Sequence, residues 1–284
     1  MLNIIKMDTY RMTKSPVTWL ILLAAMLMMI ASIFMTSVDI SYYEQNPEAL
    51  EKLKASDVDV DWGIHIGSIT PEWCTGIEIP LSELISVNIR SKLPLMLLVV
   101  FLVSFVNGDN RTGFVKNIAG HVDKRGKLIF AKIVPLAVYT VVLLLLVAFT
   151  ITLSCKFFFG YINWDNWSSL IPFLGAQLLL HIGFAMVMVC LLTLIKSSVA
   201  SLIIGILIAS GLLQLVDTIL IAVIPKLGAI SGFSVMTYMT SGNVGKLMVD
   251  STPDIYIRSL IVAILYIVVM TAISMFIVQK RDIE

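Results

Sequence analysis

Long uninterrupted apolar runs constrain this chain more than any other feature of its sequence. Residues 133–155, for example, read IVPLAVYTVVLLLLVAFTITLSC without one charged side chain. About 20 such residues in an α-helix cross the roughly 30 Å hydrocarbon core of a bilayer. Similar runs recur along the 284 residues, of which 58% are hydrophobic and only 14% are charged. Since soluble domains carry about a quarter charged residues, the sequence predicts an all-α polytopic membrane protein.

Six stretches are predicted to span the membrane. The second is the weakest, because its uninterrupted apolar part covers only 93–106 and must recruit Arg90 and Lys92 to reach across. These two cations either extend to the outer interface, as long basic side chains do, or face a polar outer vestibule. The predicted spans are 17–38, 86–106, 133–155, 169–195, 199–221 and 257–278.

Basic residues decide the predicted orientation. An even number of spans places both termini on one side, and cytoplasmic segments are enriched in Lys and Arg. With the termini inside, the inner segments carry 12 basic and 5 acidic residues, and the rest of the chain carries 8 basic and 14 acidic ones. We therefore expect a multi-pass protein with both termini in the cytoplasm.

The segments between the spans are expected to belong to a single transmembrane domain covering 1–284. Residues 1–16 read as an amphipathic interfacial helix that Ser15-Pro16 ends, or as a plain basic flank. Residues 39–85 form a long outer loop. Residues 222–256 contain glycines and apolar pieces, which favours short helices or a re-entrant hairpin on the outer side.

The inner segment 107–132, NGDNRTGFVKNIAGHVDKRGKLIFAK, is the most informative interruption between spans. Asp109 can cap the start of a short helix, and Gly120 can end it. Phe114 would then lie on an apolar face at the tip of a charged cytoplasmic segment. A docking surface for another protein explains such a face; the alternative is a basic loop that only enforces topology.

This segment resembles the one that follows the second span in type 2 ABC exporter permeases. Both have an acidic residue, a glycine, a Lys-Asn pair and basic residues up to Lys132, although Asp109 stands where Glu is common and Phe114 where Thr is common. The opening YRMTKSPVTWL (10–20) is similar to the elbow helix of these permeases. The residues that the resemblance assigns to ATPase coupling are Asp109, Arg111, Gly113, Phe114, Lys116, Asn117 and Arg125.

The resemblance implies six transmembrane helices, an N-terminal elbow helix and a cytoplasmic coupling helix in a bacterial plasma membrane. The coupling helix would dock on separate ABC ATPase subunits, which would hold ATP and Mg²⁺, and the permease would pair with a second copy or a homologous permease. The chain itself would be no enzyme and hold no cofactor, and membrane lipid rather than nucleic acid would surround it. It contains no G-x-x-x-x-G-K-[ST] motif, and GNVGKL (242–247) has the wrong spacing. The expected activity is outward movement of a peptide, antibiotic or lipid-like substrate.

Polar residues inside the predicted spans are candidates for the translocation path, because intramembrane polar groups often mark substrate routes. Gln177 and His181 are spaced i, i+4 on span four, and Ser210, Gln214 and Asp217 form a stripe on span five. The alternatives are a neutral histidine bonded to a neighbouring helix, and packing residues below an interfacial aspartate. The complete set of path candidates is Arg90, Lys92, Gln177, His181, Ser210, Gln214 and Asp217, and no metal ligand set surrounds His181.

Two alternative functions belong to other classes of membrane protein. A non-transporting immunity or sensor protein could sequester a toxin through the acidic outer loop, although alternating Asp57, Asp59 and Asp61 also suit a solvated edge. An intramembrane protease is disfavoured because the spans contain one His and no Glu. Cys74 and Cys155 could pair on the outer side or remain free.

Overall fold

The structure, a computed structural model, describes residues 2–55, 67, 69–111, 126–165, 167–195, 197–212, 219, 223 and 234–280. In these stretches the chain is helical, and β-pairing is limited to an isolated bridge between Pro80 and Asn163. Four helices are long and apolar enough to cross a membrane: α2 (Pro16–Gln45), α6 (Gly126–Phe158), α7 (Trp167–Leu194) and α10 (Pro253–Lys280). The predicted class is therefore confirmed, and the chain is a multi-pass helical membrane protein.

The remaining helices are shorter and connect or flank these four. Two short 3₁₀ turns, Pro71–Thr75 and Val235–Tyr238, precede α4 and α9. The shorter helices are α1 (Leu2–Lys14), α3 (Pro47–Ala55), α4 (Leu81–Arg90), α5 (Leu93–Arg111), α8 (Ser198–Ser210) and α9 (Thr240–Lys246).

α7 occupies the centre of the bundle and α10 its periphery. In their most apolar windows, 67% of the α7 residues are buried inside the protein, compared with 22% for α10. The α10 side chains left exposed are mostly apolar, including Ile261, Leu265 and Val268. An exposed apolar face of this length suits contact with lipid chains rather than with water.

The predicted second span, 86–106, is a bent pair of helices. α4 and α5 meet at 47°, and the pair together is long and apolar enough for one span. The break falls at Ser91-Lys92, where Lys92 has a φ of 66°. Pro94 explains the position of the break: a continuous helix would need a backbone N–H at this residue to bond the Arg90 carbonyl, and proline has none.

Two helix boundaries differ from the prediction. α2 runs to Gln45 rather than ending at 38, so the outer loop begins later than expected. α8 ends at Ser210, because Gly211 adopts the left-handed conformation (φ 82°). A left-handed glycine terminates an α-helix, so the predicted continuous span 199–221 is wrong at this point.

The two ends of the bundle can be identified from contacts between helices. At the basal end, α1, the C-terminal end of α5, the N-terminal end of α6 and the C-terminal end of α10 come together. A Cβ added to Gly126 at the start of α6 would lie 2.7 Å from Gln279 Nε2 near the end of α10. At the distal end, the last turns of α2 and α6 meet the segment 76–82, and Ser82 hydrogen-bonds to Asp165.

Candidate functional site: a buried polar cluster between broken helices

The short helix α9, with the sequence TSGNVGK, is enclosed by other helices although it is largely polar or small in composition. Ser241 and Val244 are 0% exposed and Asn243 is 1% exposed. A Cβ on Gly242 would lie only 2.0 Å from the Met236 carbonyl oxygen. The close approach of these two backbones therefore requires glycine at position 242.

Asn243 connects α9 to its neighbours. Its amide nitrogen donates to the carbonyl oxygens of Thr237 and Met239, each at 2.8 Å. Its amide oxygen accepts a 3.1 Å hydrogen bond from the hydroxyl of Ser259 on α10. A buried amide with these bonds is satisfied and orients its segment, so Asn243 fixes α9 against α10.

Gln177 and His181 place a second polar pair beside α9, from the central helix α7. Both side chains are 0% exposed. Gln177 Nε2 donates to the Val244 carbonyl oxygen at 3.0 Å, and His181 Nδ1 lies 2.7 Å from the Gln177 carbonyl oxygen. Since a carbonyl only accepts, His181 carries its proton on Nδ1 and presents Nε2 as an acceptor in the neutral ring.

Three buried polar atoms around this pair make no hydrogen bond within the described residues: His181 Nε2, Gln177 Oε1 and Ser241 Oγ. Buried polar atoms are usually paired, because leaving one unpaired costs about 1–3 kcal/mol. Such groups are found where a bound molecule or a change of conformation completes the bonding. The predicted pairing of residues 177 and 181 on one helix face is therefore present, and it lies inside the protein.

Two cations lie where helices end. Arg90, at the end of α4, donates from Nε to the Gly245 carbonyl oxygen in the last turn of α9 at 2.7 Å. Lys92 is 2% exposed, and its Nζ would be 2.6 Å from a Cβ built on Gly211, just past the end of α8. The last turn of a helix presents unpaired carbonyls and a partial negative charge, which accounts for a cation at each position.

The burial of Lys92 bears on both interpretations of these cations. An interfacial lysine would leave its amine exposed, whereas this side chain is enclosed by the protein. The left-handed backbone at Lys92 directs the chain into the break between α4 and α5. Lys92 is therefore enclosed by the protein, and the two interpretations, extension to the outer interface or a polar outer vestibule, stay predictions.

The structure brings together some of the predicted path residues. Arg90, Lys92, Gln177 and His181 surround α9 and the end of α8. Ser210 is 5% exposed and donates only to the Leu207 carbonyl of its own helix, at 3.0 Å. The predicted stripe that continued from it assumed an unbroken helix, which Gly211 interrupts; Gln214 and Asp217 lie outside the described residues.

The predicted ATPase-coupling residues fall largely outside the described part of the chain. Asp109 and Arg111 belong to the last turn of α5. Gly113, Phe114, Lys116, Asn117 and Arg125 lie outside the described residues, so the arrangement of the coupling segment remains a prediction.

The base of that segment contains a buried ion cluster that sequence reasoning did not find. Asp8 on α1 is 2% exposed, and its carboxylate lies 3.6 Å from Arg11 Nη2 and 3.7 Å from Lys132 Nζ on α6. Both cations also lie over the ring of Phe105 on α5, at 4.8 and 5.5 Å from its centroid. The cluster thus joins α1 to both helices that flank residues 112–125.

The chemistry of the interior cluster follows from its groups. The interior cluster consists of neutral polar groups and two cations at helix ends. Across the part of the chain that the structure describes, no three His, Cys, Asp or Glu side chains lie close enough to bind a metal ion. Broken helices that carry polar groups inside a membrane protein commonly form solute sites, which is the chemistry that this geometry can support.

Comparison with known proteins identifies a family but no activity. A family model described as "Protein of unknown function (DUF2705)" matches residues 76–284, which include α4 to α10 and the whole polar cluster. No curated protein matches the chain.

Proposed function

The chain belongs to the DUF2705 family of proteins of unknown function, and we propose that it is the membrane-spanning permease subunit of an ABC exporter. In this proposal a separate ATPase subunit hydrolyses ATP, and the permease moves a peptide, antibiotic or lipid-like substrate outward. Two permeases and two ATPases would form the working complex in a bacterial plasma membrane. Both termini, and therefore the basal end, would face the cytoplasm.

The observation that carries the proposal is the close contact between α5 and α6, the two helices that precede and follow residues 112–125 in the sequence. The rings of Phe101 on α5 and Tyr139 on α6 stack with centroids 3.5 Å apart and planes 9° from parallel. Closer to the segment, Lys132 Nζ on α6 lies over the ring of Phe105 on α5. A force applied to the segment would therefore move two helices together rather than only bend a loop.

The interior cluster is the second observation that supports the proposal. The bent pair α4–α5, the shortened α8 and the buried α9 meet around Gln177 and His181. Bistable breaks of this kind are the elements that absorb motion in transporters. Six spans would be completed if the bent pair counts as one and the polypeptide beyond α8 continues across the membrane.

Co-purification of an ATPase with the chain, and its loss from a coupling-segment variant, tests the proposal most directly. The tagged chain would be expressed in its native host, purified in mild detergent and examined by mass spectrometry for a partner with a G-x-x-x-x-G-K-[ST] motif and ATPase activity. Phe114→Asp should remove that partner because a charge replaces the apolar tip of the coupling segment. Phe157→Asp is the matched control, since Phe157 is 82% exposed at the distal end and should leave the partner bound.

Two outcomes would contradict the proposal. One is a wild-type protein that purifies with no ATPase, and the other is a Phe114→Asp protein that retains the ATPase at wild-type stoichiometry. Sequestration can be separated from transport by inactivating the ATPase motif lysine. Resistance to a toxic substrate that persists with the inactive ATPase would favour the immunity function over export.

A further inference from the structure

A cavity of about 430 Å³ opens at the distal end, far from the buried polar cluster and from the basal end. The last turns of α2 form one side, the segment after the first 3₁₀ turn forms a second, and the residues that follow α6 form a third. A site of 300–1,000 Å³ is the size that binds small molecules. The side chains that matter to its chemistry are Glu44, Trp73, Glu78, Phe158, Phe159 and Tyr161.

The walls of this cavity are fixed by hydrogen bonds between segments that are about 80 residues apart in sequence. The Ile79 backbone N–H donates to the Tyr161 hydroxyl at 3.1 Å, and Asn163 Nδ2 donates to the Glu78 carbonyl oxygen at 3.1 Å. The Leu81 N–H then donates to the Asn163 carbonyl oxygen at 3.1 Å. The segment that carries Glu78 is therefore held in place, and the site is preformed rather than assembled by a ligand.

The two carboxylates come from different sides of the cavity. Glu44 lies in the last turn of α2, and Glu78 lies in the segment between Gly76 and α4. Both side chains are exposed to solvent, and within the described residues neither forms an ion pair. Among the described residues no Lys or Arg lines the cavity, although Lys54 and Lys156 lie near its rim. Two carboxylates in one cavity wall favour binding of a positively charged group.

Four aromatic residues line the cavity as well, together with serine, glycine and aliphatic residues of α2 and the 76–79 segment. Trp73 is 4% exposed, so its ring is held in the protein, and the Phe159 and Tyr161 rings pack at 5.9 Å between centroids. The face of an aromatic ring attracts cations, and aromatic cages combined with carboxylates recognise alkylated ammonium groups in particular. An inorganic cation, by contrast, would require several oxygen ligands at close range.

We propose that this cavity binds a small organic cation of the quaternary ammonium class, a free solute taken from the distal side. Its positive charge lies between Glu44 and Glu78, and its alkyl or aryl groups contact the rings of Trp73, Phe158, Phe159 and Tyr161. The cavity volume limits the occupant to a molecule of drug-like size and excludes a folded peptide. This inference does not depend on the exporter proposal, because the site uses none of the residues assigned there.

Calorimetric titration of the full chain in phosphatidylglycerol nanodiscs tests the site. The probe is meta-hydroxyphenyltrimethylammonium, and its uncharged isostere meta-tert-butylphenol has the same shape without the charge; empty nanodiscs give the background. Saturable binding is expected for the cation and not for the isostere. Glu44→Gln and Glu78→Gln should each weaken binding by about four- to tenfold, the effect of removing one solvent-screened charge about 4 Å from the ligand, because both carboxylates are exposed to water.

Glu72→Gln is the matched control, because Glu72 is an exposed acid in the same 3₁₀ turn region but does not line the cavity. It should leave the affinity unchanged, and the wild-type affinity should fall as salt is raised. The same titration in phosphatidylcholine nanodiscs separates two sources of the ligand: unchanged affinity indicates a free cation, and competition indicates a lipid headgroup of the same chemistry. The proposal is overturned if the cation does not bind, if the isostere binds equally well, or if Glu72→Gln weakens binding as much as the cavity variants.

Discussion

Replacing Asp8 with Asn tests the ion cluster that connects α1 to the base of the coupling segment. Asparagine keeps the shape of the side chain and removes its charge. Arg11 and Lys132 would then remain 3.6 and 3.7 Å from a neutral amide. The two positive charges, which share the ring of Phe105, would then lie close together without the carboxylate between them.

The size of the effect follows from the burial of each partner. The Arg11 side chain is 29% exposed as a whole, but both of its terminal nitrogens are buried, so its charge is only partly screened by water. The Lys132 side chain is 7% exposed and the Asp8 side chain 2%, and removing one partner from a buried pair costs about 3–5 kcal/mol. We therefore expect Asp8→Asn to reduce the free energy of unfolding by about 3 kcal/mol.

A double-mutant cycle measures the interaction itself. Asp8→Asn, Lys132→Met and the double variant would be compared by thermal unfolding in one detergent, and hydrogen exchange would report on α1. The double variant should be more stable than the sum of the two single effects predicts, because it removes the buried lysine charge that Asp8→Asn alone leaves without its carboxylate. Glu48→Gln, at an exposed position on α3, should change stability by less than about 0.5 kcal/mol.

The reasoning would be refuted by strictly additive effects in the cycle. It would equally be refuted if Asp8→Asn matched the control, since a buried carboxylate with two cationic partners cannot be electrostatically silent. If the cluster also transmits motion, Asp8→Asn should reduce the ATP-dependent activity of the complex more than its stability loss explains.

The remaining predictions concern the polar cluster and the distal end. Gly242→Ala should destabilise the protein by about 3 kcal/mol or more in thermal unfolding, because overpacking against the Met236 carbonyl oxygen has no flexible side chain to move aside. Gly211→Ala should cost about 1–2 kcal/mol in the same assay, since alanine is strained at a φ of 82° and its Cβ meets the Lys92 amine. Cys74 should react slowly with a maleimide at pH 7–8 in the folded protein and quickly after unfolding, because burial, with the nearby charge of Glu44 as a smaller cause, raises the pKa of its thiol.

Gly175→Ala is the control for both glycine substitutions. A Cβ at this position on α7 would meet no atom within 4 Å, so alanine should be neutral or slightly stabilising because it favours the helix. If Gly242→Ala proves as harmless as Gly175→Ala, the close approach of the two backbones is wrong. Equal maleimide rates in folded and unfolded protein would show that Cys74 is accessible; Cys74 and Cys155 are both free and buried in the structure.

Hydropathy alone predicted the membrane class and the approximate positions of four long helices. The predicted spans 133–155, 169–195 and 257–278 lie within or close to α6, α7 and α10. The helices extend beyond the hydrocarbon length because nothing in the flanking sequence breaks them. Ser15-Pro16 ends α1 and begins α2 as expected, since proline cannot continue a helix but fits its first turn.

The position of the polar residues could not be read from the sequence, because it depends on contacts between distant segments. Arg90 reaches a carbonyl 155 residues away, and Gln177 one 67 residues away. The sequence excludes a nucleotide motif in the GNVGK stretch and places it in a region of short helices or a re-entrant hairpin, but it gives no role to Asn243, which is the best-bonded amide of the buried cluster. Its unusual content of small and polar residues was the signal in the sequence. That the stretch forms a buried helix depends on its packing against other helices.

Asp8 illustrates the same limit at the other end of the molecule. In the sequence it is one acidic residue in a basic N-terminal segment, and helical periodicity gives it no partner beyond Arg11 three residues away. Its burial depends on Lys132, which α6 brings to α1 only when the bundle is packed. The sequence by itself thus determined which segments enter the membrane, because transfer from water to lipid depends on local composition. The tertiary structure alone decided which polar groups meet inside it, because a buried charge or amide must find its partner wherever folding brings one.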